Sequence, residues 1–168
     1  DMPKKILIVD DFPIFREGLK ALLSHVPSLE VIGEAENGEI AVIQTNLLRP
    51  DLILMDLAMP VINGIDATRS IKQRNSDIKV LALTEQTSHD HAMAAMAAGA
   101  NGYILKQDTT TNLLSAIECV LNGDVYLSSG VRDKVVSGSQ ANAERTNNRS
   151  LWLKSTSRGR KFLSESDK

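Results

Sequence analysis

The sequence lacks the features that mark secreted and membrane-spanning proteins. It has a single cysteine, Cys119, so no disulfide can form within the chain. Its longest strictly apolar runs, such as residues 92–98, are far shorter than the ~18 residues that a membrane span requires. The short basic N-terminus lacks the apolar region and cleavage site of a secretory signal. These absences predict a cytoplasmic protein that neither crosses nor anchors to a membrane.

The composition predicts a globular domain followed by a different kind of segment. Hydrophobic residues make up 42% and charged residues 24% of the 168 positions, which excludes a disordered or collagen-like chain. Residues 1–128 hold 10 basic and 17 acidic residues, whereas residues 129–168 hold 9 and 4. We therefore predict a domain over residues 4–128, a linker over 129–150, and a basic, disordered segment over 151–168.

Five short apolar runs alternate with helical patterns in the first 128 residues. The predicted strands are 6–9, 31–35, 52–55, 80–83 and 103–105. Pro13, Gly38 and Gly64 stand where helices begin, and Gly99 and Gly123 stand where helices end. Repeated strand–helix units with apolar strands predict a doubly wound α/β fold, in which helices cover both faces of a five-stranded parallel sheet. The alanine-rich helix near residues 91–98 is expected to be the most easily displaced.

Polar residues follow four of the predicted strands. Asp10 and Asp11 follow the first, Asp56 the third, Thr84 the fourth and Lys106 the fifth. Parallel strands bring these positions to one edge of the sheet, where ligands of such folds bind. Clustered carboxylates repel one another unless a cation is present, and all-oxygen ligation suits Mg²⁺. This set of residues predicts a magnesium site at which the central Asp56 accepts a phosphoryl group.

Each of these residues alone has an ordinary structural explanation. Asp11 could cap the helix that begins near Pro13, Thr84 could be a turn residue, and Lys106 could be a solvated side chain. The conjunction at four strand ends is much harder to explain by capping. The three histidines show no metal-ligand spacing and are interpreted as surface or helix-end residues.

Several motifs together resemble the receiver domain of two-component response regulators, and more closely the NarL/FixJ (LuxR-type) subfamily. They are ILIVDD at 6–11, PIFREGL at 13–19, PDLILMDLAMP at 50–60, NG at 63–64 and GANGYILK at 99–106. The resemblance implies a flavodoxin-like strand order 2-1-3-4-5 and phosphorylation of Asp56 by a sensor histidine kinase. It also implies Mg²⁺ held by Asp11, Asp56 and the backbone carbonyl of Ala58, with Asp10 contacting the metal through water.

The resemblance further implies a switch. Thr84 turns toward the new phosphoryl group, Tyr103 follows it inward, and Lys106 pairs with the phosphate. The change alters a surface made of the fourth helix, fifth strand and fifth helix, through which a homodimer could form.

Two parts of the sequence depart from the subfamily pattern. Phe12 stands where the subfamily often has His. Gln107 stands where many receivers have Pro, but members of the subfamily also commonly lack that Pro. The subfamily also carries a DNA-binding helix-turn-helix output domain, but only the run 156–163 resembles its opening, with Gly159 and Lys161 in place of expected glutamates. We interpret the C-terminal region as a truncated or aberrant output domain in preference to a basic arm for nucleic acid, so DNA binding would require a domain missing or incomplete here.

Other functions remain open at this point. A stand-alone receiver acting as a phosphorelay or protein-interaction module would keep the same acidic residues. A phosphatase of the haloacid-dehalogenase type would need a second aspartate where Ala58 stands, and a flavin phosphate would not suit the acidic loop at Asp10 and Asp11. We therefore expect no enzyme in the usual sense, only self-phosphorylation from a donor and slow self-dephosphorylation.

Overall fold

The computed structural model of the protein describes residues 2–133, which form a parallel sheet with five α-helices packed on it and a short 3₁₀ helix (Lys106–Asp108) before the last of them. The strands are β1 (Lys4–Val9), β2 (Leu29–Ala35), β3 (Leu52–Asp56), β4 (Lys79–Thr84), β5 (Gly102–Leu105) and β6 (Tyr126–Leu127). The helices are α1 (Pro13–Ser24), α2 (Gly38–Leu48), α3 (Gly64–Arg74), α4 (His89–Ala97) and α5 (Thr109–Leu121). The predicted basic segment 151–168 and most of the predicted linker lie outside the described residues.

The sheet has the strand order β2-β1-β3-β4-β5-β6, with all pairs parallel. This confirms the doubly wound α/β fold and the order 2-1-3-4-5. The prediction of five strands missed β6, which pairs with β5 through Gly102 opposite Tyr126 and Tyr103 opposite Leu127. A strand of two residues is too short to leave a periodic pattern in the sequence.

The strands pack against helices on both faces because successive side chains point to opposite sides of the sheet. One apolar cluster includes Val9, Ile53 and Met55 of the strands with residues of α2, α3 and α4. The other includes Ile8 and Leu54 with residues of α1 and α5. Both faces of β1 and β3 are therefore buried, which explains why these strands are continuous apolar runs.

Local sequence signals set where the helices begin. The side-chain oxygens of Asn37, Asn63 and Ser88 accept hydrogen bonds from backbone N–H groups in the first turns of α2, α3 and α4. Gly64 starts α3 so close to the end of β3 that a Cβ atom there would overlap the backbone carbonyl of Asp56. A glycine is required at this position, and it keeps the start of α3 against the strand end that carries Asp56.

Helix α4 is held by few large side chains, as the sequence predicts. Its buried residues are Ala92 and Ala95. The chain leaves the helix through Gly99, whose φ of 106° belongs to the left-handed region that favours glycine. None of the helices within residues 2–133 has the length and hydrophobicity of a membrane-spanning segment.

Candidate functional site

Three aspartates and the lysine that follow the strands converge at one edge of the sheet, as predicted. Asp10, Asp11 and Asp56 each offer a carboxylate oxygen, and these oxygens lie within 4.8 Å of one another. Asp10 and Asp56 are buried, whereas Asp11 is exposed. The cluster therefore consists of two buried carboxylates and one carboxylate that is exposed to solvent.

Lys106 lies between the two buried carboxylates. Its Nζ is 2.8 Å from Oδ2 of Asp10 and 3.4 Å from Oδ1 of Asp56, and it stands 4.6 Å from the centre of the Phe15 ring. Burial disfavours the charged ammonium, but the hydrogen bond to Asp10 and the charges of both carboxylates outweigh it, so the pKa of Lys106 lies above its ordinary value. The site therefore holds a fixed positive charge beside Asp56.

The Asp56 carboxylate has a raised pKa. Burial, and then the negative charge of Asp10, raise the pKa of Asp56 to about 6. Lys106 and the backbone N–H of Ala58, which donates to Oδ1 at 3.2 Å, act in the opposite direction. The group is therefore mostly ionised at neutral pH, yet its negative charge is poorly compensated.

The donor set of the cluster fits a magnesium ion. It consists of oxygen atoms from three carboxylates, and Mg²⁺ prefers hard oxygen ligands with some positions left to water. One oxygen of Asp10 accepts the backbone N–H of Phe12 at 2.8 Å and the other accepts Lys106 at 2.8 Å, so both oxygens already take part in hydrogen bonds within the protein. Whether Asp10 contacts the metal directly or through water stays a prediction.

Thr84 at the end of β4 and Tyr103 of β5 both form hydrogen bonds with Gln86 in the loop between β4 and α4. The Thr84 hydroxyl oxygen accepts the N–H of Gln86 at 3.0 Å, and the Tyr103 hydroxyl donates to the carbonyl of Gln86 at 2.9 Å. The Tyr103 ring is buried and makes an edge contact with the His91 ring, whose centre is 6.0 Å away. His91 lies at a helix end, as expected, but it also packs on Tyr103.

Comparison with known proteins decides the family. Residues 6–118 match the family description of the response regulator receiver domain. The chain belongs to this family. It is 38% identical over 132 residues to the transcriptional regulatory protein DegU of Brevibacillus brevis, covering 79% of this chain and 56% of the relative. It is 33% identical over 144 residues to the nitrate/nitrite response regulator protein NarL of Escherichia coli K12, covering 86% and 67%.

A solved structure agrees with these relatives. The crystal structure of a LuxR-family two-component response regulator from Aurantimonas sp. SI85-9A1 matches with a TM-score of 0.78 at 33% identity, covering 82% of this chain and 98% of that one. The chain is thus a receiver domain of the NarL/LuxR type of two-component response regulators. It spans little more than half the length of the DegU relative.

Some contacts of this receiver domain were not predicted from the sequence. Phe15 falls within the motif at 13–19, but that motif does not predict that its ring lies beside the ammonium of Lys106. Gln86 contributes a backbone carbonyl and N–H, which any residue type could supply, so no sequence signal identifies it. Ser128 accepts the N–H of Leu105 and its own N–H donates to the carbonyl of Tyr103, which fastens the chain after β6 to β5.

Proposed function

We propose that this chain is a phosphorylation-controlled receiver that accepts a phosphoryl group on Asp56 with the help of Mg²⁺. The observation that carries the proposal is the convergence of Asp10, Asp11 and Asp56 around the ammonium of Lys106 at one sheet edge. The phosphoryl donor is expected to be a sensor histidine kinase, and the place of action the cytoplasm. Membership of the receiver family supports this assignment.

The nucleophile of the proposed reaction is an Asp56 carboxylate oxygen. It forms the new bond to phosphorus while the bond between phosphorus and the donor breaks, and the donor departs with that electron pair. Since the pKa of Asp56 is about 6, the carboxylate is available as an anion at neutral pH. Lys106 remains protonated and supplies a point charge for the phosphoryl oxygens.

Asp11, Asp56 and the carbonyl of Ala58 are the proposed Mg²⁺ ligands, with Asp10 acting through a water molecule. A bound Mg²⁺ ion would neutralise part of the carboxylate charge and bind phosphoryl oxygens. Asp11 suits the role of a direct ligand because it is the exposed member of the cluster.

Thr84 and Tyr103 are the proposed switch residues. Both contact Gln86, so a movement of the Thr84 hydroxyl toward a phosphoryl group on Asp56 changes the loop that Tyr103 holds. The affected surface is formed by α4, β5 and α5. We propose that phosphorylation controls an output through this surface. For the relatives named above, that output is transcription or a regulatory response. The proposal includes formation of a homodimer through the same surface and DNA binding through a further domain.

The proposed reaction ends with the phosphorylated protein and does not make the chain a turnover enzyme. Hydrolysis of small phosphomonoesters is not expected, because position 58 is alanine and provides no general acid. The second candidate function is a stand-alone relay. Transfer of labelled phosphate from phosphorylated Asp56 to a histidine phosphotransfer protein would favour the relay over control of an output.

The test of phosphorylation is the intact mass of the full chain after incubation with a small acyl phosphate, with and without Mg²⁺. The expected result is one added phosphoryl group, formed only with Mg²⁺ and absent from Asp56→Asn. Asp66→Asn is the matched control, because it removes an exposed carboxylate on α3 and should be phosphorylated like the unaltered chain. Equal incorporation by Asp56→Asn, or none by any form, would contradict the proposal.

A further inference from the structure

Arg16 of α1 joins the backbone beside the acidic cluster to the edge strand of the sheet. Its Nη1 donates to the backbone carbonyl of Asp10 at 2.6 Å, and its Nε donates to Oε1 of Glu34 on β2 at 3.0 Å. Only 16% of the Arg16 side chain is exposed. Because the guanidinium is a planar fork, two bonds to acceptors on different elements fix its orientation as well as its distance.

The carbonyl that Arg16 binds belongs to the peptide unit that leads into Asp11. Strand β1 ends at Val9, and the N–H of Asp10 still donates to Ala35 of β2 at 3.0 Å, but the next carbonyl has left the ladder. Arg16 supplies the donor that a neighbouring strand would otherwise provide. The side chain of Asp11 is exposed, so its position depends on the backbone that carries it.

We propose that Arg16 is a positioning residue that holds the Asp10–Asp11 peptide unit so that the Asp11 carboxylate faces the other acids and binds Mg²⁺. This inference rests on the proposed function, since it assigns a role toward the same metal site. Groups that orient metal ligands from outside the ligand set contribute strongly to metal affinity. Glu34 completes the arrangement by fixing the other edge of the guanidinium.

The direction in which Mg²⁺ affinity changes when Arg16 is replaced distinguishes a positioning role from a purely electrostatic one. Removing a positive charge near a cation site should strengthen Mg²⁺ binding if only long-range charge mattered. Loss of the hydrogen bond to the Asp10 carbonyl should weaken it. Lys20 provides a matched control, because its Nζ also binds Glu34, at 2.9 Å, and its replacement removes the same charge without affecting the bond to Asp10.

The experiment is a titration of the full chain with Mg²⁺ alone, in which changes in amide NMR shifts report binding. It is carried out on the unaltered protein, Arg16→Gln and Lys20→Gln. We expect the dissociation constant for Mg²⁺ to rise about tenfold in Arg16→Gln. We expect it to be unchanged or slightly lower in Lys20→Gln. Equal constants in the two variants, or tighter binding by Arg16→Gln, would overturn the proposal.

A second readout requires no metal. The N–H of Asp11 belongs to the same peptide unit as the carbonyl that Arg16 binds, so its amide shift in metal-free protein should change in Arg16→Gln and not in Lys20→Gln. If Arg16→Gln does not fold, Arg16→Lys takes its place, because lysine keeps the charge but lacks the fork that reaches both acceptors. A native Asp11 shift and native Mg²⁺ affinity in that variant would overturn the proposal.

Failure of this inference differs from failure of the proposed function. If the unaltered chain binds Mg²⁺ and Asp11→Asn does not, the metal site stands, and the Arg16 variants alone decide the positioning role. If the unaltered chain shows no Mg²⁺-dependent shifts at Asp10, Asp11 and Asp56, the metal site itself is wrong, and the role of Arg16 falls with it.

Discussion

Burial of the Asp56 carboxylate beside Asp10 costs folding free energy in the metal-free protein. The pKa of Asp56 is raised from its ordinary value of 3.8 to about 6. Since the folded state holds its proton more tightly than the unfolded state, stability is lost as the pH rises from about 4 through 6. From the size of the shift, the cost at pH 7 is about 3 kcal/mol.

Asp56→Asn is therefore expected to stabilise the metal-free protein by about 3 kcal/mol at pH 7 and by much less near pH 4. Urea unfolding with a chelator present, measured across this pH range, checks the difference. Asp66→Asn, an exposed change of the same charge, should remain within about 0.5 kcal/mol throughout. A pH-independent gain in Asp56→Asn would contradict the assignment of the cost to the buried charge.

Val61 lies in the loop between β3 and α3 with a φ of 69°, a left-handed conformation that is unfavourable for a β-branched residue. Its side chain is exposed, so little packing is lost when it is removed. Val61→Gly is expected to raise the free energy of unfolding by about 1 kcal/mol, because relief of strain outweighs the greater entropy of the unfolded chain.

Val125→Gly is the control for this prediction. Val125 is also exposed, but it is not among the residues with positive φ. Replacement there should lower stability by roughly 0.5 kcal/mol, because only the entropy term acts. Chemical denaturation of both variants gives the comparison, and a loss of stability in Val61→Gly as large as that in Val125→Gly would show that the loop stores no strain.

The acidic site could be predicted from single residues because the end of a parallel strand has a known place in the fold. Asp10, Asp11, Asp56 and Lys106 follow strands whose order brings them together. The bond from Tyr103 to the Gln86 carbonyl could not be predicted in this way, because it depends on the path of a loop and on a backbone atom. The bond from Arg16 to the backbone carbonyl of Asp10 could not be predicted for the same reason.

Among the helices, α4 should open most readily. Its buried residues are two alanines, whereas α5 buries Leu113, Ile117 and Val120 among others. Less buried apolar area gives a smaller free energy of local opening. Native-state hydrogen exchange should therefore give opening free energies for the amides of residues 93–98 that lie at least about 2 kcal/mol below those of α5. Equal values in both helices would show that α4 opens only with global unfolding.

Sequence periodicity predicted the elements better than their ends. The strands β1 and β2 each begin two residues earlier than predicted, at Lys4 and Leu29, because polar or edge positions there still join the ladder. Strand β6 was missed because Tyr126 and Leu127 pair with β5 only after the chain has left α5. Tertiary contacts decide whether so short a segment pairs, and a local sequence pattern does not report such contacts.

For the molecule as a whole, the packed core continues past the predicted domain end at residue 128. Val131 is fully buried and belongs to the same apolar cluster as Tyr103 and Leu105. Val131→Ala should lower the free energy of unfolding by about 2 kcal/mol, from lost burial and the cavity left behind. Thermal or urea unfolding of the full chain measures this loss. Val125→Ala, an exposed counterpart, should change stability little, and an equally small effect of Val131→Ala would place the end of the core earlier.

The proposed switch requires that a charge added at Asp56 reaches α4 and β5 through Thr84, Gln86 and Tyr103. The most direct test records amide NMR spectra of the full chain with Mg²⁺, before and after addition of beryllium trifluoride, which mimics a phosphoryl group on a carboxylate. We expect shifts at Asp56 that are accompanied by shifts at Gln86, Tyr103 and along α4, all absent from Asp56→Asn. Shifts confined to the acidic cluster would contradict this coupling.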